Sequence, residues 1–111
     1  MSEISKETEQ KIGQLQLFEQ SLQTLLAQKQ QFQMQSVEIE SALSELDKSE
    51  KAYKIIGNIM VASNKEDLKS DLKSKKEIAD LRLKTLEKQE NQIKEKAEKL
   101  QSEVLKNIKN E

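Results

Sequence analysis

Lysine, glutamate and aspartate are the main side chains here that could do chemistry, and the chain has no His and no Cys. Without imidazole or thiol, no ordinary nucleophile–base pair or soft metal site can be assembled. Paired carboxylates can act as general acid and base. Those of this chain recur among Lys and Gln at helical spacing, which puts them on solvated faces. Gly13 and Gly57 are the only glycines. Two isolated glycines cannot build a phosphate-cradling or dinucleotide loop. No enzyme, no cofactor and no metal are therefore expected.

The elements that carry these residues follow from composition. The 111 residues allow one domain at most. Charged residues make up 35%, aromatics 3%, and Pro and Trp are absent. Bulky apolar residues are too few for a compact core, yet they are regularly spaced, which argues for long helices or a coiled coil rather than disorder. The formal net charge of −1 provides no overall field for nucleic acid or membrane. Residues 47–111 hold 16 basic and 13 acidic side chains, against 3 and 7 before them. There Lys alternates with Glu, and Tyr53 is the lone aromatic, so no stacking platform exists and no nucleic acid partner is expected. The longest purely apolar run, residues 59–62, is too short to span a bilayer. The opening MSEISKETEQKI has no apolar core of a secretory signal. A cytoplasmic protein is expected, in keeping with the lack of Cys.

Two seams run along the chain. The first is Leu15, Phe18, Leu22, Leu25, Lys29, Phe32, Ser36, Ile39, Leu43 and Leu46. The second is Leu72, Lys76, Ala79, Leu83, Leu86, Glu90, Ile93, Ala97, Leu100 and Val104. Alternating steps of three and four keep each set on one helix stripe. Lys29, Ser36, Lys76 and Glu90 interrupt the stripes, and setting of register or snorkelling at the seam edge is the role expected of them. Each seam is about 48 Å of helix at 1.5 Å per residue. A short connection folds the helices back antiparallel, and one register then aligns Leu46 with Leu72 and Leu15 with Val104. The expected helices cover about 5–48 and 65–108, with Ser63 and Glu66 as a capping box for the second.

The pattern changes between the helices. Tyr53, Ile55 and Ile56, then Gly57-Asn58, then Ile59, Met60 and Val61, read as a β-hairpin over about 52–62. β-Branched and aromatic residues suit strands, and Gly first suits a tight two-residue turn. Ile56 should face Ile59, Ile55 face Met60, and Tyr53 face Ala62. Both faces are then largely apolar. A lone hairpin is marginal in water and its edges expose unpaired backbone groups. Other chains are expected to cover it, and a barrel of many hairpins would remove the edges.

Several apolar residues lie off the seams. Met34, Val37, Ile78 and Leu81 are expected to pack locally or against other subunits. Ile12, Leu17, Leu105 and Ile108 cluster at the far end from the hairpin, without an obvious partner in the chain. Exposed apolar groups there suit contact with unfolded polypeptide.

The ordered combination of these features resembles prefoldin. It is carried by Tyr53-Lys54-x-x-Gly57-x-x-x-Val61, by Leu83-x-x-Leu86-Glu87-Lys88-Gln89-Glu90, and by the stretch GQLQLFEQSLQTLLAQKQQFQ from Gly13 to Gln33. Only one hairpin fits between Leu46 and Leu68, which resembles the β class, archaeal and eukaryotic alike; the α class inserts two. The resemblance implies one domain over 1–111, mostly α, with a long antiparallel two-helix coiled coil and one β-hairpin between the helices. It implies hairpins that assemble into an intersubunit β-barrel, in a hexamer with an α-class partner, two α with four β. It further implies an ATP-independent chaperone subunit that binds unfolded client proteins at its coiled-coil tips and passes them to a group II chaperonin. A coiled-coil scaffold or adaptor that docks a folded partner is the alternative, and a nucleic-acid-binding arm a third.

Overall fold

The computed structural model describes residues 4–110 and runs α1 (Lys6–Lys48), β1 (Ala52–Ile56), β2 (Ile59–Ser63) and α2 (Lys65–Asn110). The span expected for the domain, 1–111, includes residues 1–3 and 111, which lie outside the described residues. α1 is 43 residues of mostly Gln, Leu, Glu, Ser and Lys, without Pro and with Gly13 as its single glycine. Ser5 caps it: its Oγ accepts a hydrogen bond from the Thr8 amide at 3.1 Å, satisfying one of the orphan donors of a helix start. Glu7 and Glu9 in the first turn and Lys48 in the last complement the helix dipole.

The strands pair antiparallel in the expected register, with Ile56 opposite Ile59, Ile55 opposite Met60 and Tyr53 opposite Ala62. Gly57 has φ +60°, and no other described residue has positive φ. Positive φ at the first turn position alone defines a type II′ turn, which glycine enters without a Cβ clash.

The cap of α2 differs from expectation. Asn64, not Ser63, closes the helix start: its Oδ1 accepts from the amides of Glu66 at 2.8 Å and Asp67 at 3.3 Å. Ser63 is held in the β ladder opposite Ala52, so the next residue takes the cap. Glu66 and Asp67 then favour the positive helix start.

The chain divides into two compact units. The hairpin unit is Gln30–Lys84. Its core is a narrow stripe of seam residues, Ile39 and Ala79 buried and Phe32, Leu43, Leu72 and Leu83 half-buried, with Ala52 buried at the root of β1. The terminal unit joins α1 up to Lys29 with α2 from Thr85. There Leu86 and Val104 are buried, and Leu15, Phe18, Leu22, Leu25, Ile93, Ala97 and Leu100 are half-buried. In both units the seam residues shun solvent and the residues between them are largely exposed, as heptad packing requires.

Candidate functional site

Each polar interruption of the seams has a polar partner. In the hairpin unit, Ser36 Oγ donates to Asp80 Oδ1 at 3.2 Å. Lys76 Nζ bridges Asp80 Oδ2 at 3.2 Å and Glu40 Oε1 at 3.4 Å. These carboxylates, Asp80 first and Glu40 second, hold the Lys76 ammonium above its usual pKa. Nearer the strands Lys69 binds Asp47. That contact lowers the Asp47 carboxyl and raises the Lys69 ammonium, through the hydrogen bond first and charge second. In the terminal unit Lys29 Nζ lies 3.4 Å from Glu90 Oε1, and Lys11 bridges Glu7 and Glu103, each at 3.4 Å. Lys11–Glu7 and Lys76–Asp80 lie one turn apart on a single helix; the other contacts pair α1 with α2. Among the described residues no group of His, Cys, Asp or Glu is arranged to hold a metal ion, and no helix is long and apolar enough to cross a membrane.

Beside the polar faces, a set of large apolar residues is also open to solvent. Tyr53, Ile55, Ile56, Ile59, Met60 and Val61 are all exposed. Strand alternation puts Tyr53, Ile55, Met60 and Ala62 on one face, and Ile56, Ile59 and Val61 with Lys54 on the other. Each strand has one neighbour, so each also keeps an unpaired edge. Leu17, Leu105 and Ile108 are exposed in the terminal unit, the first two at 61% and 62%. Ile12 is different: it is half-buried. Buried Thr8 and half-buried Lys11 continue the three–four spacing back from Leu15, so the packed stripe reaches the first turn of α1 and brings Ile12 into its margin. Leu17 stands on the rim of an open groove of about 740 Å³, with Leu25 and Ile93 in its lining. Met34, Val37, Ile78 and Leu81 are exposed in the hairpin unit.

Thr8 and Arg82 were not singled out from sequence. Ser5 and Thr8 share a hydrogen bond of 2.9 Å between hydroxyls, and the spacing Ser5-x-x-Thr8 is a legible cap signal. Arg82, the single arginine, sets its guanidinium 5.8 Å from the centre of the Phe32 ring, a cation–π distance. Nothing in the spacing of seam residues marks it.

Two long heptad helices joined by one exposed apolar hairpin define a coiled-coil protein of the subunit kind, with sticky strands and paired arms. Comparison with known proteins specifies the kind. The model of the prefoldin subunit family matches residues 9–111, and the chain belongs to that family, in its β class. It is 38% identical over 105 residues to prefoldin subunit beta of Methanothrix thermoacetophila, covering 92% of this chain and 88% of that one. It is 36% identical over 107 residues to prefoldin subunit beta of Methanospirillum hungatei, covering 94% and 89%. The crystal structure of the prefoldin beta subunit from Thermococcus strain KS-1 superposes with a TM-score of 0.87 at 32% identity, covering 94% of each chain. Prefoldin subunits are components of an oligomeric chaperone.

Proposed function

We propose that residues 1–111 form one prefoldin β-type domain that acts as an ATP-independent holdase subunit in the cytoplasm. Four copies join two α-class subunits through an intersubunit β-barrel made of their hairpins. The terminal units bind unfolded proteins through Leu17, Leu105 and Ile108, with Ile12 at the margin, and the complex hands its clients to a group II chaperonin. The observation that carries this reading is the hairpin. Tyr53, Ile55, Ile56, Ile59, Met60 and Val61 are exposed on the two faces of a two-stranded sheet that Gly57 turns. A two-stranded sheet of this kind is marginal alone, and burial of apolar area at about 25 cal/mol per Å² drives its association.

The exposed apolar residues of the terminal unit support the client role. Weak contacts repeated on several arms of one complex add through effective concentration. Binding of the unfolded state withdraws it from aggregation without nucleotide. The test is aggregation of a chemically denatured client diluted into buffer without ATP. The chain assembled with an α-class subunit should suppress light scattering, and the unassembled chain should do so far less. Equal suppression by both would overturn the assembly-dependent role. No suppression by either would leave the scaffold reading in its place.

A further inference from the structure

Sulfur in this chain is confined to methionine, since Cys is absent and Met occurs three times. Met34 and Met60 lie among the described residues, exposed at 64% and 66%. Their settings differ. Met34 sits on α1 away from the seam. Met60 sits in β2 opposite Ile55, on the strand face that also carries Tyr53 and Ala62. This face has no charged or amide side chain, and the Tyr53 hydroxyl is its one polar side-chain group. Met60 is the one member whose polarity a reversible two-electron oxidation can change.

We infer that Met60 is an oxidation site that controls assembly, an inference that rests on the hairpin-mediated assembly proposed above. A peroxide transfers one oxygen atom to the Met60 Sδ. The peroxide O–O bond breaks and an S–O bond forms; the thioether is oxidised by two electrons and the peroxide is reduced to water or an alcohol. The product sulfoxide is polar and chiral. Buried against a neighbouring hairpin, its oxygen has the Tyr53 hydroxyl as the one donor on its own face; an oxygen that does not reach that hydroxyl is unpaired, and an unpaired buried polar group opposes association. Exposure makes the free subunit reactive, whereas the assembled subunit is shielded. Oxidation thus acts on unassembled chains and holds them apart until a sulfoxide reductase restores the thioether.

The experiment treats the free chain, and the hexamer preformed with an α-class subunit, with hydrogen peroxide. Peptide mass spectrometry follows each sulfur and light scattering follows assembly. Met34 and Met60 should oxidise at similar rates in the free chain. In the hexamer Met60 should slow by about tenfold or more while Met34 is unchanged. Oxidised wild type and oxidised Met34→Leu should assemble about tenfold more weakly, the factor one unpaired buried polar group produces. Oxidised Met60→Leu should assemble normally, and sulfoxide reductase should rescue the wild type. Full assembly of oxidised wild type overturns the inference alone. Failure of the unoxidised chain to form any hexamer overturns the assembly reading and this inference with it.

Discussion

Lys29 of α1 and Glu90 of α2, each a break in an apolar seam, meet each other: Nζ lies 3.4 Å from Oε1 with only 16% and 12% of the two side chains exposed. A single partner left behind is a poorly solvated charge. Lys29→Leu alone should therefore destabilise the chain by about 1–3 kcal/mol, less than a fully buried pair because Lys94 also touches Glu90 at 3.6 Å. Lys29→Leu with Glu90→Leu should recover most of that loss or exceed wild type, as apolar replacements of buried pairs do. Urea unfolding followed by circular dichroism closes the cycle. Additive losses in the double variant would mean that the two charges do not act as a pair.

The seam phase makes a sharper claim. Leu86 is 8% exposed and Leu81 is 64% exposed, five residues apart on one helix. Leu86→Ala should cost about 2–5 kcal/mol, and Leu81→Ala about 1 kcal/mol or less. The same unfolding measurement ranks them, and a reversed order would contradict the packing.

The proposed assembly runs through the hairpin. Ile59→Lys places an ammonium beside Ile56, on a strand face that the proposed barrel buries. Desolvation of an unpaired charge is far more costly than the few tenths to about 1 kcal/mol a cross-strand apolar pair contributes. Hexamer mass should be lost by light scattering while helical circular dichroism persists. An unchanged hexamer would remove the barrel from the account.

Client binding is assigned to the terminal unit. Changing Leu17, Leu105 and Ile108 to Ser should leave hexamer mass and helicity intact and weaken aggregation suppression several-fold, through loss of weak apolar contacts on each arm. Met34→Ser with Val37→Ser should change suppression little. If the two variants behaved alike, the client surface would extend along the sides of the helices.

The pH profile follows from Asp47 and Lys69. Asp47 is held below its ordinary 3.8, so its contribution is complete above that value and is lost as pH falls through the lowered one. Lys69 is held above its ordinary 10.5, so its contribution is complete below that value and is lost as pH rises through the raised one. The pair supports a plateau between about pH 4 and about pH 10.5. Asp47→Asn removes the Asp47 titration and the larger part of what raises Lys69, leaving the charge of Glu66 beside it. Thermal midpoints across pH should show shallower acid and alkaline limbs in the variant, and an unaltered profile would assign the limbs to other groups.

The seams and the hairpin were legible because their signals are periodic or local. Three–four spacing marks Leu15 through Val104 whatever lies between, and Gly57-Asn58 between β-branched runs names its own turn. Details that depend on competition between neighbours were not legible. Ser63 and Asn64 can both cap a helix, and the β ladder decides between them by engaging Ser63. Ile12 looks off-stripe from Leu15 onward, but the stripe continues through Lys11 to buried Thr8. The breaks at Lys29 and Glu90 are visible singly, while their pairing requires the antiparallel register. The client site is the least legible part, since exposure marks an apolar residue as available without naming what covers it.

The bridge from Lys11 to Glu103 joins residues 92 positions apart in the chain. At about 5–20 residues per second, synthesis separates their appearance by roughly 5 to 20 seconds, whereas helix formation takes on the order of a microsecond. The front of α1 therefore waits many times longer than helix formation takes before its partner is made, its apolar stripe open on the nascent chain. The hairpin, by contrast, completes as soon as Ser63 emerges. Closure begins at the hairpin, and the terminal unit becomes whole only once the segment that carries Glu103 has been made.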